Sequence, residues 1–231
     1  MARRSSVTSP LAVSPCSSEV KPITYTDEST GWENWRSDKD QLPAVAIGKK
    51  MDGWPDEKWL DTRNAGVREV MRKRIQLAKS KGCDGVDPDN IDGYENDTGF
   101  SLTKADGADY VRFLAQTAHE ENLSYGLKNG GAIVPQVIDV AQWVINEQCV
   151  QYNECALYQP FIQQGKPVLH IEYTGKSPAK KSFVEKSCNA PGAKGFSTLI
   201  KHMNLNQWAE TCHERQTSGA HRAHGGHGRR R

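Results

Sequence analysis

The chain has no run of 18 apolar residues, so no segment is long and apolar enough to cross a bilayer as a helix. It also lacks a leader-like apolar stretch near its start. Leu11-Ala-Val13 follows Arg3 and Arg4 but falls short of the roughly 7–15 residues a secretory signal uses. There is no Cys-x-x-Cys pair, which argues against a zinc ribbon. There is no Gly-x-Gly-x-x-Gly after the first strand and no P-loop sequence, which argues against the nucleotide-binding folds. Net charge is only +2 over 231 residues, too little to suggest a nucleic acid as partner. The few concentrated positive charges sit at the two ends, Arg3-Arg4 and Arg229 to Arg231, and leave a near-neutral body.

What remains is a polar chain, 36% hydrophobic, long enough for one domain with a sizeable core. Residues 1–20 are rich in Ser and Pro with little to bury, and are expected to be disordered. Residues 213–231 are mostly His, Gly and Arg. His213, His221, His224 and His227 there read as solvated rather than as metal ligands. Residues 21–212 form the domain.

Within it, strand and helix patterns alternate. Strands are expected at 22–26 and 57–61, at Cys83–Val86, Leu123–Leu127, Trp143–Asn146 and, last, Pro167–Tyr173. Val67 to Lys81 reads as a helix with Val67, Val70, Met71, Arg74, Ile75 and Ala78 on one face. Thr103 reads as the N-cap of a second helix with Asp106 three residues on. Shorter helices are expected at Val134–Val140 and at Ala156–Gln164, the latter stopped by Gly165. Residues 181–212 read as a mixed appendix. Regular alternation argues for a parallel α/β sheet. Polar residues end strand after strand (Asp87/Asp89, Lys128/Asn129, Glu147, Glu172), which is where α/β barrels carry their chemistry.

The densest such loop is Gly85-Val-Asp-Pro-Asp-Asn-Ile-Asp-Gly93. Asp84, Asp87, Asp89 and Asp92 repel one another, a cost tolerated where a cation, a metal or a protonation event uses them. An EF-hand is excluded, because a loop starting at Asp87 has Ile91 at position 5 and Thr98 at position 12. A calcium-dependent structural protein rests on this loop alone. Asp89 and Glu147, just beyond two different strands, fit a pair of carboxyls flanking one glycosidic bond. The blander reading has Asp89 capping its own turn, and Asp87 competes for the role. His170, alone on a strand, reads as a satisfied core residue. Trp32, Trp35, Trp54 and Trp59 could stack on sugars or equally pack loops onto the barrel.

Six cysteines permit 15 pairings. A Cys149–Cys155 bridge would hold Glu147 in place, and Cys188 and Cys212 bracket the last segment. Cys83 reads as a buried free thiol. Sequons at Asn96 and Asn122 suit a secreted chain, against the missing leader.

The segments Gly82-Cys-Asp-Gly-Val-Asp-Pro-Asp-Asn-Ile-Asp-Gly-Tyr94, Gly126-Leu-Lys-Asn129, Asn146-Glu-Gln-Cys149 and Lys166-Pro-Val-Leu-His-Ile-Glu-Tyr173 carry a resemblance. Trp32-Glu-Asn-Trp-Arg36 and Glu57-Lys-Trp-Leu-Asp61 extend it in the same order. Across residues 22–212 the chain resembles the endo-α-1,4-polygalactosaminidase family of glycoside hydrolases in its fungal form. The resemblance implies a (β/α)₈ barrel, usually secreted and so extracellular, that needs no cofactor or metal. Asp89 and Glu147 would be the catalytic pair. Asp87, Asn90, Asp92, Lys128, Asn129 and Glu172 would bind substrate, a cationic galactosamine-rich polysaccharide. Two strands that the family places before Ile23 have no match, so about six of eight are expected, as in an N-terminally truncated barrel. The alternative is an inactive remnant that binds amino-sugar polymer without cleaving it.

Overall fold

The computed structural model describes residues 25–26 and 38–212, of which 25–26 and 54–56 by backbone alone. Its frame is a sheet of six strands in sequential order. They are β4 (Gly85–Val86), β5 (Ser124–Lys128), β6 (Trp143–Glu147), β7 (Val168–Tyr173), β8 (Ser197–Lys201) and β9 (Ala209–Thr211). β4 to β8 are parallel and β9 closes the edge antiparallel. A second, antiparallel sheet joins β1 (Tyr25–Thr26), β2 (Ile47–Met51) and β3 (Trp54–Leu60) in the order β1-β3-β2. Asp52-Gly53 makes the β2–β3 turn, and Gly53 supplies its φ of +80°.

Three strand expectations therefore change. Tyr25–Thr26, the described part of the strand read at 22–26, and the strand read at 57–61 belong to a separate antiparallel sheet and not to the parallel frame. β7 is not the last strand, because the supposed appendix holds β8 and β9. β8 escaped notice because only Thr198 and Ile200 of Ser197–Lys201 are buried, an alternation without an apolar run. The described residues contribute five parallel strands.

The helices follow their sequence signals closely. α1 (Ala65–Ser80) buries the six residues expected of it, and the Asn64 side chain caps it by accepting the Gly66 N–H at 2.8 Å. Arg74 on that face is 5% exposed and meets Asp38 through two bonds of 2.7 and 2.8 Å, which satisfies a buried guanidinium. α2 (Lys104–Glu120) opens with a capping box: Asp106 N–H donates to Thr103 Oγ1, and Thr103 N–H donates to Asp106 Oδ2. α3 (Val134–Val137), α4 (Cys149–Tyr152), α5 (Gln159–Gln163) and α6 (Lys181–Cys188) are shorter. One core joins α1 and α2 to the sheet through Met71, Ile75, Leu114, Tyr125, Leu127, Val144 and Phe161.

Cys149 and Cys155 are bridged with Cα atoms 4.7 Å apart, and Cys188 and Cys212 with 5.6 Å. Both lie in the usual range. Cys83 is not a free thiol: it too is disulfide-bonded. Its burial could not distinguish the two states, since a bridged sulfur is as apolar as a free one.

Gly126 in β5 sits opposite Trp143 in β6. A Cβ there would stand 2.6 Å from the indole ring. Gly126→Ala is expected to displace Trp143 and to cost about 1–3 kcal/mol of stability by overpacking. Urea melts and Trp fluorescence check this; an unchanged midpoint would show that the ring moves freely.

Candidate active site

β4 stops at Val86 because Pro88 cannot donate to a ladder. Asp87 and Asp89 follow in the loop beyond it. β5 ends at Lys128 and β6 at Glu147. Because these strands are parallel, all these residues emerge at one edge. Lys128 pairs with Ile145 in register, and residues two apart on a strand share a face, so Lys128 and Glu147 point to the same side. Tyr173 shares that side, because Ile171 is the register partner of Glu147. There the Lys128 ammonium stands 3.3 Å from Asp89 Oδ1 and 3.0 Å from Glu147 Oε2. The side chain of Lys128 is 12% exposed, so the contacts are sheltered from solvent.

Glu147 is held by more than its charge. Asn129, in the left-handed region at φ 52°, donates Nδ2–H to Glu147 Oε2 at 3.3 Å and accepts the Glu147 N–H on Oδ1 at 2.9 Å. Tyr173 donates its hydroxyl proton to Oε1. Burial pushes the Glu147 carboxyl up. The Lys128 charge and the bonds from Tyr173, Lys128 and Asn129 outweigh it and hold the group below its ordinary value. Burial draws Lys128 down, but Asp89 and Glu147 more than reverse this and raise it. Burial, followed by the bond to Glu147, raises Tyr173. Glu147 is thus an oriented, ionised carboxylate beside a second carboxylate, a cation between them.

Asp89 also bonds its own loop, accepting the Asn90 N–H on Oδ1 at 3.0 Å. The bond to its own turn and the contact with Lys128 therefore share one oxygen of Asp89. Asn90, at φ 53°, lines a cavity of about 30 Å³ with Trp59 and Tyr94. Trp59 is buried there and packs the loop rather than offering an open stacking surface. Trp54 by its side chain, and Trp32 and Trp35 entirely, lie outside the described residues. Asp92 is raised by burial and by Asp89 and Glu95. Glu154 is raised by burial and by Glu95 and Asp92, so carboxylates continue outward from the centre. Asp84 stands apart: it is exposed, and its carbonyl accepts from Ser124.

Asp87 carries the largest shift among the carboxyls. Burial lifts it from 3.8 to about 6; Lys128 opposes this, while Asp89 and Glu147 add to it. Between about pH 4 and pH 6 the folded chain therefore holds a proton that the unfolded chain has released, so stability falls as pH rises. The expected loss is on the order of 2–3 kcal/mol. Asp87→Asn should abolish it, and urea melts from pH 4 to 7 should show the variant gaining on the parent across that window. Parallel curves would remove Asp87 as a buried titrating group.

One expected site residue faces elsewhere. Glu172 follows His170 at period two, and His170 is the register partner of Asn146, so all three point to the sheet face opposite Glu147. Glu172 is 2% exposed; its Oε1 is bonded to His170 Nε2 and to the Val150 N–H. It does not line an open groove. His170 is the satisfied core residue expected, bonded through both ring nitrogens to Glu172 and Thr198. Sequence reading passed over Tyr173 and Asn146, although both lie within the quoted motifs. Their signal was position: each is adjacent to a strand-end carboxylate. Cys149, Cys155 and His170 cluster within ligand reach of one another, but both sulfurs are spent in the disulfide.

The model of glycoside-hydrolase family GH114 matches residues 16–217. The chain belongs to this family. GH114 enzymes are glycosidases built as (β/α)₈ barrels, and the parallel strands described above are part of that barrel. The crystal structure of Aspergillus fumigatus Ega3 in complex with galactosamine is 51% identical over 78% of this chain and 74% of that one, with a TM-score of 0.74. The glycoside hydrolase domain of PelA from Pseudomonas aeruginosa shares the fold at 14% identity, over 80% of this chain and 77% of that one, with a TM-score of 0.52. No curated protein matches the chain.

Proposed function

We propose that this GH114 chain hydrolyses internal α-1,4 bonds of a galactosamine-containing polysaccharide, with Asp89 and Glu147 as its paired carboxyls. The observation that carries the reading is the single ammonium of Lys128 touching both carboxylates. Two oxygens at 3.3 and 3.0 Å from one nitrogen lie nearer each other than the roughly 6.5–9.5 Å that inverting glycosidases keep for a water. We therefore read the reaction as retaining, the class whose carboxyls stand roughly 5–5.5 Å apart. One carboxyl attacks the anomeric carbon; the other protonates the leaving oxygen and later deprotonates the water that releases the sugar. Asn129 and Tyr173 keep Glu147 aimed while the glycosidic bond breaks and the glycosyl–enzyme bond forms and is hydrolysed.

The substrate class follows from charge. Asp87, Asp89, Asp92 and Glu147 surround one lysine, so the edge attracts a sugar bearing an ammonium. Ega3 was captured with galactosamine, the monomer of such a polymer. The disulfides suit an oxidising compartment, in keeping with action outside the cell.

The test is incubation with an α-1,4-galactosamine octamer, read by mass spectrometry. Products of intermediate length support the reading. An intact octamer, or release of single terminal sugars alone, would refute internal cleavage.

A further inference from the structure

Four consecutive backbone N–H groups start at the catalytic carboxylate, and each has a separate acceptor. Glu147 N–H donates to Asn129 Oδ1 at 2.9 Å. Gln148 N–H donates to the Ile171 carbonyl at 2.7 Å. Cys149 N–H donates to Asn146 Oδ1 at 3.2 Å, and Val150 N–H to Glu172 Oε1 at 2.8 Å. Gln148 is held at φ +64°, a conformation that a non-glycine residue keeps only when its surroundings impose it. The chain leaves β6, turns through Gln148 and enters α4 under these four bonds.

Three of the acceptors lie close by or on neighbouring strand ends. Glu172 differs, because it is a carboxylate on the far face of the sheet with no route to substrate. A buried carboxylate is costly unless each interaction is well placed. Its Oε1 meets both the Val150 N–H and His170 Nε2, and His170 is 0% exposed and is steadied in turn by Thr198 Oγ1 at 3.0 Å from Nδ1. With His170 donating from Nε2, Nδ1 accepts the Thr198 hydroxyl proton. This run from β8 through β7 ends on the first turn of α4, three residues beyond Glu147.

We propose that Glu172 is a positioning residue. Backed by His170 and Thr198, it fixes the first turn of α4 and thereby the strained Gln148 turn and the aim of the Glu147 carboxylate. It acts through this backbone bond and not by contact with sugar. The inference rests on Glu147 being catalytic, as in the reading above.

Two reciprocal substitutions separate reach from charge. Glu172→Gln keeps an oxygen at the right length and loses the charge. Glu172→Asp keeps the charge and withdraws the oxygen by one methylene. The expected result is a kcat loss of roughly 10- to 100-fold for Glu172→Asp with KM within about threefold, because a misplacement of about 1 Å at a reacting group has this effect. Glu172→Gln should lose less than about fivefold in kcat. The opposite order, equal losses, or no loss in either variant overturns the proposal. So does a KM increase confined to Glu172→Gln, which would mean that the carboxylate recognises the substrate's ammonium. A substrate-independent readout accompanies the kinetics. Amide hydrogen exchange at Gln148 to Tyr152 should accelerate at least about tenfold in Glu172→Asp relative to both Glu172→Gln and the parent. Unchanged exchange overturns the proposal whatever the kinetics. If the parent cleaves no galactosamine polymer but exchange behaves as stated, the functional reading fails and the positioning role stands.

Discussion

Glu147→Gln and Asp89→Asn are each expected to lower kcat on galactosamine oligomers by about 10²–10⁴-fold, with KM moved far less. The substituted side chains keep their shape. At position 147 the amide oxygen can turn toward Lys128 and Asn129 while the amide N–H₂ faces the Tyr173 hydroxyl, which is able to accept. Binding groups stay in place, so the loss falls on the transition state. Steady-state kinetics with a defined oligomer checks this, alongside melts to confirm folding. If Asp89→Asn keeps near-parental turnover, Asp89 is not catalytic and Asp87 takes its place. If both variants stay active, the pair is wrong.

Lys128→Met should have the second-largest effect. It leaves two carboxylates side by side with no cation between them. Their side chains are 29% and 23% exposed, so solvent softens the penalty below that of a fully buried pair, to about 2–3 kcal/mol. The pH dependence has a definite sign. Glu147 is held below its ordinary value, so its contribution is present above the unfolded carboxylate value and is lost as pH falls through the lower folded one. Lys128 is held above 10.5, so its own contribution is lost only as pH rises through that higher value. Lys128→Met should therefore be most destabilised near neutral pH and approach the parent in strong acid. The acid limb of its activity profile should move to higher pH, because Glu147 then protonates more readily. A stability difference independent of pH would show that Lys128 acts through packing and not charge.

Legibility differed between elements for physical reasons. α1 was readable because its apolar positions recur at helical spacing, and Arg74 fell on the buried face with its long apolar stem. The start of α2 was readable from Thr103 and Asp106, a local bond pattern that needs no tertiary context. β4, β5 and β6 announced themselves by polar residues at or just beyond their C-terminal ends, and those ends brought Asp89, Lys128 and Glu147 together. β1 and β3 misled because antiparallel and parallel strands carry the same local pattern, and only partners decide between them. Glu172 misled because strand-end position was given more weight than strand face. On β7 the buried residues are Val168, His170 and Glu172 at period two, so a polar network on the helix-facing side was already written in the alternation. Tyr173, one residue on, points the other way and reaches Glu147.

The central claim is that Asp89 and Glu147 form a retaining pair that opens α-galactosaminidic bonds. Proton NMR of the products formed in the first minutes of cleavage of an α-1,4-galactosamine oligomer tests it most directly, since it reads the anomeric configuration before mutarotation mixes it. The account predicts that new reducing ends appear first as the α anomer and then equilibrate toward β. First appearance as the β anomer would contradict the shared-lysine geometry as the basis of the mechanism, and no new reducing ends at all would contradict the claim itself.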